Sequence, residues 1–421
     1  MKLISTKGRG AKAARERIAT LVARRSDAYM RAVPAARKIV ESVRKGGDAA
    51  LRRYGKQFDG LSQQTPLQIS TEEMKAAWDA ASPSLKQALK QAEKNIRAFA
   101  TKQRPRDFSF SPVPGLTVGQ QVRPLGAVGC YVPSGRYPLP STLLMTVVPA
   151  QVAGVPRIVV ISPKPAPETL AAAHMLGVTE FYRTGGAQGV AALAYGTATI
   201  AKVDKIVGPG NAYVTAAKSL VAFDCSIDML AGPTEIVVTS ETGDVEAIAS
   251  DLIAQAEHDP DAFAVFVTTN EALAKLVVAD VKLRVRTNRI AAQAIRNNGF
   301  AIVTESVEEA REITNALAPE HLTVDSDADL AWVQNAGSIF IGNESAQPLG
   351  DYISGPNHTL PTGGIARVRG GLSVMDFLKL ITVQQYDAQG LKRLAPLAIE
   401  LAEAEGLTGH AEAIRVRSRY E

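Results

Sequence analysis

Short apolar runs rich in Val and Ile alternate with longer stretches whose apolar positions recur three and four apart, and no other feature narrows the fold as much. A first block passes from the helical segment LLMTVVPAQVAG through RIVVISP, helix ETLAAAHMLG, EFYRTGG, helix GVAALAYGT and VDKIVGPGN to helix AYVTAAKSLV. A second block passes from EIVVTS through helix VEAIASDLIAQAEH, AFAVFVTT, a helix from Asn270, FAIVTES and helix VEEAREITNALA to HLTV and SIFIG. A strand buried on both faces reads as a continuous apolar run, and strands joined by helical crossovers pair in parallel. The pattern predicts an α/β layered fold with ligands held by loops at the carboxyl ends of strands.

Around these blocks the periodicity changes. Residues 71–102 read as helix broken near Pro83, and FSFSPVPGLTVGQQVRPLGAVGCYVP then alternates with Gly and Pro punctuation, which predicts strands. The stretch 350–371 is rich in Gly and Pro and predicts a long functional loop, and LAPLAIELAEAEG predicts a helix stopping at Gly406. With 46% hydrophobic and 21% charged residues, the 421-residue chain is globular rather than disordered. No apolar run is long enough for a membrane span and no signal-peptide core opens the chain. The only cysteines, Cys130 and Cys225, rule out a disulfide framework or a four-sulfur metal site and fit a reducing, cytoplasmic setting. The net charge of +5 is concentrated in AKAARERIATLVARR and VRKGGDAALRRYGKQ. There the basic positions interleave with Ala, Leu, Ile and Val at helical spacing, without aromatic stacking residues, so solvated amphipathic helices are expected and no nucleic-acid partner.

Several segments carry chemistry. TGGAQG (184–189) and GPGN (208–211) each follow a strand and open a helix, a setting that offers backbone N–H groups to a phosphate, although glycines after strands often serve turns alone. In QAEHDP, Gln255 and His258 stand three apart at a helix end, a spacing that can offer two donors to one ion or merely place a His against the helix dipole. Glu320 and His321 pair a carboxylate with an imidazole where a helix gives way to a strand, which supplies two proton handlers. Asp351 and His358 lie in the Gly/Pro loop, and Asp351 can serve either a mixed N/O metal site or its own turn. His174 sits in an apolar helix and reads as structural.

Taken together, GCYVPSGRYPLPSTLLMTVVPAQVAGV, GGAQGVAALAYGT, VDKIVGPGNAYV, IDMLAGPTEIVV, DLIAQAEHDPDA, LAPEHLTV, LGDYISGPNHTLPTGG and AEAEGLTGHAEAIRVR resemble the histidinol dehydrogenase family, in its order, over about residues 120–416. The resemblance implies oxidation of L-histidinol to L-histidine through the aldehyde, with NAD+ and Zn2+, as the last step of histidine biosynthesis. It implies Gln255, His258, Asp351 and His410 as zinc ligands and Glu320 and His321 as acid/base residues. Tyr131, Gln188 and Asn211 would contact NAD+, while Thr234, His321 and Glu405 would join the zinc ligands in holding substrate. It further implies two incomplete Rossmann-like α/β domains with helical N- and C-terminal extensions in an intertwined homodimer, whose C-terminal segment carries Glu405 and His410 into the partner's site. The corresponding divisions are a helical arm at 1–22, a main domain at 23–128 plus 228–376, an NAD-contacting domain at 129–227 and a helical tail at 377–421.

Two positions depart from the family pattern. Pro133-Ser134-Gly135-Arg136-Tyr137 replaces the common Pro-Gly-Gly, and Thr234 stands where Ser is common, though either supplies a hydroxyl. Arg136 suits an anion, which raises a related dehydrogenase of another small amino or sulfonated alcohol as the alternative, whereas Glu405 suits an amine. A zinc hydrolase or a nucleic-acid binder would leave the glycine loops or most of the other motifs without a role.

Overall fold

A computed structural model describes residues 1–24, 28–62, 64–134 and 137–418. The strands are β1 (Lys2–Ser5), β2 (Phe108–Val113), β3 (Leu116–Pro124), β4 (Ala127–Tyr131), β5 (Arg157–Ser162), β6 (Glu180–Arg183) and β7 (Lys205–Val207). They continue with β8 (Ser226–Ile227), β9 (Glu235–Thr239), β10 (Phe263–Thr268), β11 (Gly299–Val303), β12 (His321–Val324), β13 (Ser338–Ile341) and β14 (Leu378–Tyr386). The expected α/β architecture is present as two parallel sheets.

The first sheet has five strands in the order β6-β5-β4-β7-β8, and the second has six in the order β1-β11-β10-β9-β12-β13. With β1 set aside, both orders are 3-2-1-4-5 in chain sequence. Each sheet therefore reverses direction beside its first strand, between β4 and β7 in one and between β9 and β12 in the other. Helices cover both faces. Against the first sheet, Ala28–Asp59, Gly186–Tyr195 and Ala212–Val221 pack on one side, and Pro140–Ala153 and Pro167–Met175 on the other. Pro140–Ala153 is buried nearly all round, which is why its sequence has no polar stripe. The second sheet is covered in the same way, and Phe266 at its centre is fully buried. Truncating such a ring to Ala costs about 3–5 kcal/mol.

Local chemistry explains the element ends. The break near Pro83 separates Thr71–Ala80 from Pro83–Gln103, with Ser82 accepting from the Leu85 amide and Pro83 in the first turn. The stretch 28–59 is kinked at Gly47, whose φ of 50° and ψ of −134° are not helical. Both cysteines are free and buried, and burial pushes their thiols up to about 12.

Three expectations are corrected. The N-terminal arm opens with a strand, β1, paired in parallel with β11, before its helix Ala11–Val22. The C-terminal tail likewise begins with a strand, because β14 pairs antiparallel with β3 along nine residues in a sheet with β2. The Gly/Pro loop opens with the short helix Gln347–Tyr352, so Asp351 is helical. No helix among the described residues is long and apolar enough to cross a membrane.

Candidate active site

The carboxyl end of the first sheet gathers the residues expected to meet a dinucleotide. Tyr131 ends β4, TGGAQG follows β6 and GPGN follows β7, so the loops surround the point where the strand order reverses. Tyr131 is buried, and its hydroxyl accepts from the Gly186 amide at 3.1 Å. Burial pushes that phenol up to about 12. Gly208 has a φ of +110°, and a Cβ there would strike the Tyr131 carbonyl oxygen; a Cβ at Gly185 would strike the Pro163 ring. Only glycine lets the backbone of these loops close to this degree. Asn211 is exposed and caps Ala212–Val221, its Oδ1 accepting from the amides of Tyr213 and Val214. Gln188 is buried in the first turn of Gly186–Tyr195 and donates to Asp59 Oδ2 at 3.1 Å. The cradle of helix N-termini and close-packed glycines fits a pyrophosphate.

A buried ion pair braces this loop. Lys218 donates to Asp228 Oδ1 and to the Gly208 carbonyl, both at 2.6 Å. Asp228 also accepts from the Gly208 amide at 2.8 Å and the Met229 amide at 2.6 Å.

The residues expected to handle protons, Glu320 and His321, stand elsewhere, at the amino end of the second sheet. His321 is the first residue of β12 and lies opposite Ile236 of β9, immediately beyond Thr234 and Glu235. At the carboxyl end of that sheet the Glu241 carboxylate accepts from the Thr269 amide at 2.8 Å and hydroxyl at 2.5 Å, and the Glu241 amide donates to Asp325 at 2.8 Å.

Glu320 and His321 are delivered by the turn after Val307–Leu317. Ala318 caps that helix with a φ of 45°, a left-handed conformation that a residue with a Cβ adopts at a cost of about 1 kcal/mol. Glu320 Oε2 accepts from Thr234 Oγ1 at 2.6 Å and from the Glu235 amide at 2.8 Å. The Glu235 carbonyl in turn accepts from His321 Nδ1 at 3.0 Å. His321 Nδ1 stands 3.7 Å from Glu320 Oε2, and Nε2 stands 3.7 Å from Asp351 Oδ1. Burial, partly offset by the His321 charge and these hydrogen bonds, pushes Glu320 up to about 7. Burial alone would lower His321, but the Glu320 and Asp351 carboxylates outweigh it and raise the imidazole to about 9.

Gln255 Nε2 donates to Thr234 Oγ1 and lies 3.3 Å from His321 Nδ1, while Gln255 Oε1 is buried without a hydrogen-bond partner. An orphaned buried amide oxygen beside a carboxylate and an imidazole fits a cation, and this mixed N/O set suits zinc. Asp351 Oδ2 accepts from Gln347 at 3.0 Å, and the Asp351 carbonyl accepts from His358 Nδ1 at 2.8 Å. His358 also meets Thr142 Oγ1 at 3.1 Å and is near enough to His258 to feel its charge. His321, Asp351 and His358 line a cleft of about 330 Å³ with Phe340, Leu349 and Leu360.

The structure therefore brings together Thr234, Gln255, Glu320, His321 and Asp351. His258 corrects one expectation: the helix ends at Ala256, so His258 lies in the turn beyond it rather than on the helical face of Gln255. Glu405 and His410 are exposed on the C-terminal hairpin of Ala388–Ala404 and Thr408–Arg417. Among the described residues, no three His, Cys, Asp or Glu side chains gather as a cation site. Gly135 and Arg136 lie outside the described residues.

Sequence reasoning missed Glu235 and Arg24. Arg24 clasps the Glu235 carboxylate in a bidentate pair at 3.0 and 2.6 Å, and Glu235 holds Glu320 and His321 through its backbone. An acid opening the otherwise apolar run EIVVTS was the available signal.

Comparison with known proteins gives the family. The family model described as Histidinol dehydrogenase matches residues 22–418. The chain belongs to the histidinol dehydrogenase family. Histidinol dehydrogenase of Methanothermobacter thermautotrophicus is 46% identical over 395 residues, covering 90% of this chain and 92% of that one. That of Gluconobacter oxydans is 44% identical over 414 residues, 96% of each. The crystal structure of histidinol dehydrogenase from Elizabethkingia anophelis superposes with a TM-score of 0.91 at 34% identity, covering 99% of this chain and 98% of that chain. Family membership makes this chain an oxidoreductase of histidine biosynthesis.

Proposed function

We propose that the chain oxidises L-histidinol to L-histidine through the aldehyde, with Glu320 and His321 moving the protons. The observation that carries the reading is the network in which the backbone of Glu235 and the Thr234 hydroxyl hold both groups beside the unpartnered Gln255 Oε1. NAD+, when bound, supplies the hydride acceptor, and zinc, when bound, supplies a site for neutral substrate nitrogen. Gln255, His258 and Asp351 would hold the metal, with His410. Tyr131, Gln188 and Asn211 would hold the dinucleotide within 129–227, apart from the main unit formed by 23–128 and 228–376.

His321 donates Nδ1–H to the Glu235 carbonyl, which leaves Nε2 as its proton-accepting atom. In the first oxidation Nε2 takes the hydroxyl proton as hydride leaves the same carbon. In the second, Glu320 takes a proton from water as its oxygen attacks the aldehyde, and a second hydride leaves. A carboxyl raised to about 7 suits this exchange near neutrality. Thr234 orients Glu320 through its hydroxyl and would offer the substrate an oxygen.

The C-terminal hairpin of a second copy would supply Glu405 and His410, with Glu405 as counter-charge to the substrate amine. Exposed Leu380, Ile381, Val383 and Tyr386 on β14, and Leu397 and Leu401 on the following helix, give that hairpin the apolar surface a homodimer would cover. A buried thiol pair and a biosynthetic role suit the cytoplasm.

The test is NADH production from L-histidinol by purified protein, with and without chelator, followed by zinc add-back and product quantitation. Two NADH per histidine, lost on chelation and restored by zinc, supports the reading. Dinucleotide and zinc binding without histidinol turnover moves the substrate to another small alcohol.

A further inference from the structure

A fold with the strand order 3-2-1-4-5 ordinarily places an acid near the end of its second strand, where it accepts hydrogen bonds from the ribose of NAD and repels the 2′-phosphate of NADP. Here the second strand is β5, and it runs into Ser162-Pro163-Lys164, with a cation where the acid is expected. An acid arrives from another element. Asp59 is the last residue of Ala28–Asp59. Its Oδ2 accepts from Gln188 Nε2 at 3.1 Å, and its charge acts on the buried Tyr131 hydroxyl, while the Lys164 cation acts on Asp59 itself.

Nothing in the helix itself favours that residue. A carboxylate at a helix C-terminus opposes the helix dipole, and burial adds a further penalty to its charge, pushing its carboxyl above the ordinary range. Asn would hold Gln188 through an equivalent acceptor without either cost. The position is thus electrostatically expensive and lies among the groups that the preceding section assigns to the dinucleotide.

Resting on that cofactor reading, we infer that Asp59 is the residue that selects NAD over NADP, standing in for the missing acid after β5. With Asp59 charged, a 2′-hydroxyl gains an acceptor, whereas a 2′-phosphate meets a like charge. Asp59→Asn keeps the shape and removes that repulsion, so that Lys164, the cation following β5, is left to attract the phosphate.

The experiment measures dissociation constants of NADH and NADPH for the full-length protein by fluorescence, without turnover, for wild type, D59N, D59S and D59N/K164A. Circular dichroism and thermal midpoint establish that each variant is folded. The expected result is wild-type preference for NADH, a shift of the NADPH/NADH affinity ratio toward NADPH by about tenfold or more in both single variants, and loss of that gain in D59N/K164A. A ratio within about twofold of wild type in D59N and D59S, with NADH still bound, overturns the inference and leaves the cofactor reading standing. Failure of wild type to bind either dinucleotide overturns both.

Discussion

Replacing Glu320 by Gln tests the chemistry and the energetics of the site together. The carboxylate is 7% exposed, and its Oε2 accepts from Thr234 and from the Glu235 amide, bonds that an amide oxygen can keep. Its pKa moves from the ordinary 4.5 up to about 7, chiefly through burial. An acid with a raised pKa in the fold opposes stability as it ionises, so the penalty is absent below pH 4.5 and complete above pH 7. At about 1.36 kcal/mol for each tenfold change in proton affinity, the gap amounts to roughly 3 kcal/mol. Loss of the Glu320 charge also removes a partner from His321, which reduces the gain. E320Q is therefore expected to be more stable than wild type by about 1–3 kcal/mol at pH 8, with the difference vanishing near pH 4. Its second oxidation should slow by about 10²–10⁴, the contribution of a positioned base, while the first survives. Denaturant titrations at the two pH values read the stability, and hydroxylamine trapping of aldehyde with NADH counting reads the chemistry. Histidine formed at the wild-type rate, or a stability difference that does not change with pH, refutes the reasoning.

Three further outcomes follow from the structure. Because the Glu320 and Asp351 carboxylates raise His321 to about 9, kcat/KM for L-histidinol should climb with pH toward that value as the base form appears, and H321N should lose that limb. The same shift makes the protonated imidazole a source of stability that is complete below pH 6.5 and fades as pH rises through about 9. Lys218→Met leaves Asp228 buried and charged with only backbone donors, so unfolding free energy should fall by about 3–5 kcal/mol, with part recovered in K218M/D228N; a loss under about 1 kcal/mol would show that the pair is not energetically closed off from water.

Much of the scaffold was legible because helix and strand leave different hydrophobic periods. RIVVIS, EIVVT, FAVFVT and GFAIV all became buried parallel strands, and the helices between them fell where the three-and-four spacing placed them. The exceptions have a physical origin. KLIS at β1 is too short to carry a period, and its strand exists because β11, almost 300 residues away, offers an open edge. LKLITVQQY is largely exposed on both faces, so nothing in its pattern announced the pairing with β3. His258 fell two residues beyond the end of its expected helix because Glu257, not His258, caps it.

For the site, the sequence alone determined the chemical vocabulary: an adjacent Glu and His, an amide and imidazole near one helix end, and glycines after strands. It determined these because they depend on residue type and on neighbours a few positions apart. Only the tertiary structure decided that the glycine loops occupy a carboxyl edge while Glu320 and His321 occupy an amino edge, since strand order sets which ends meet. The same holds for Arg24 with Glu235 and Asp59 with Gln188, pairs 211 and 129 positions apart. A charge buried on one element is tolerated only because a partner on another arrives opposite it, and no local pattern records that arrival.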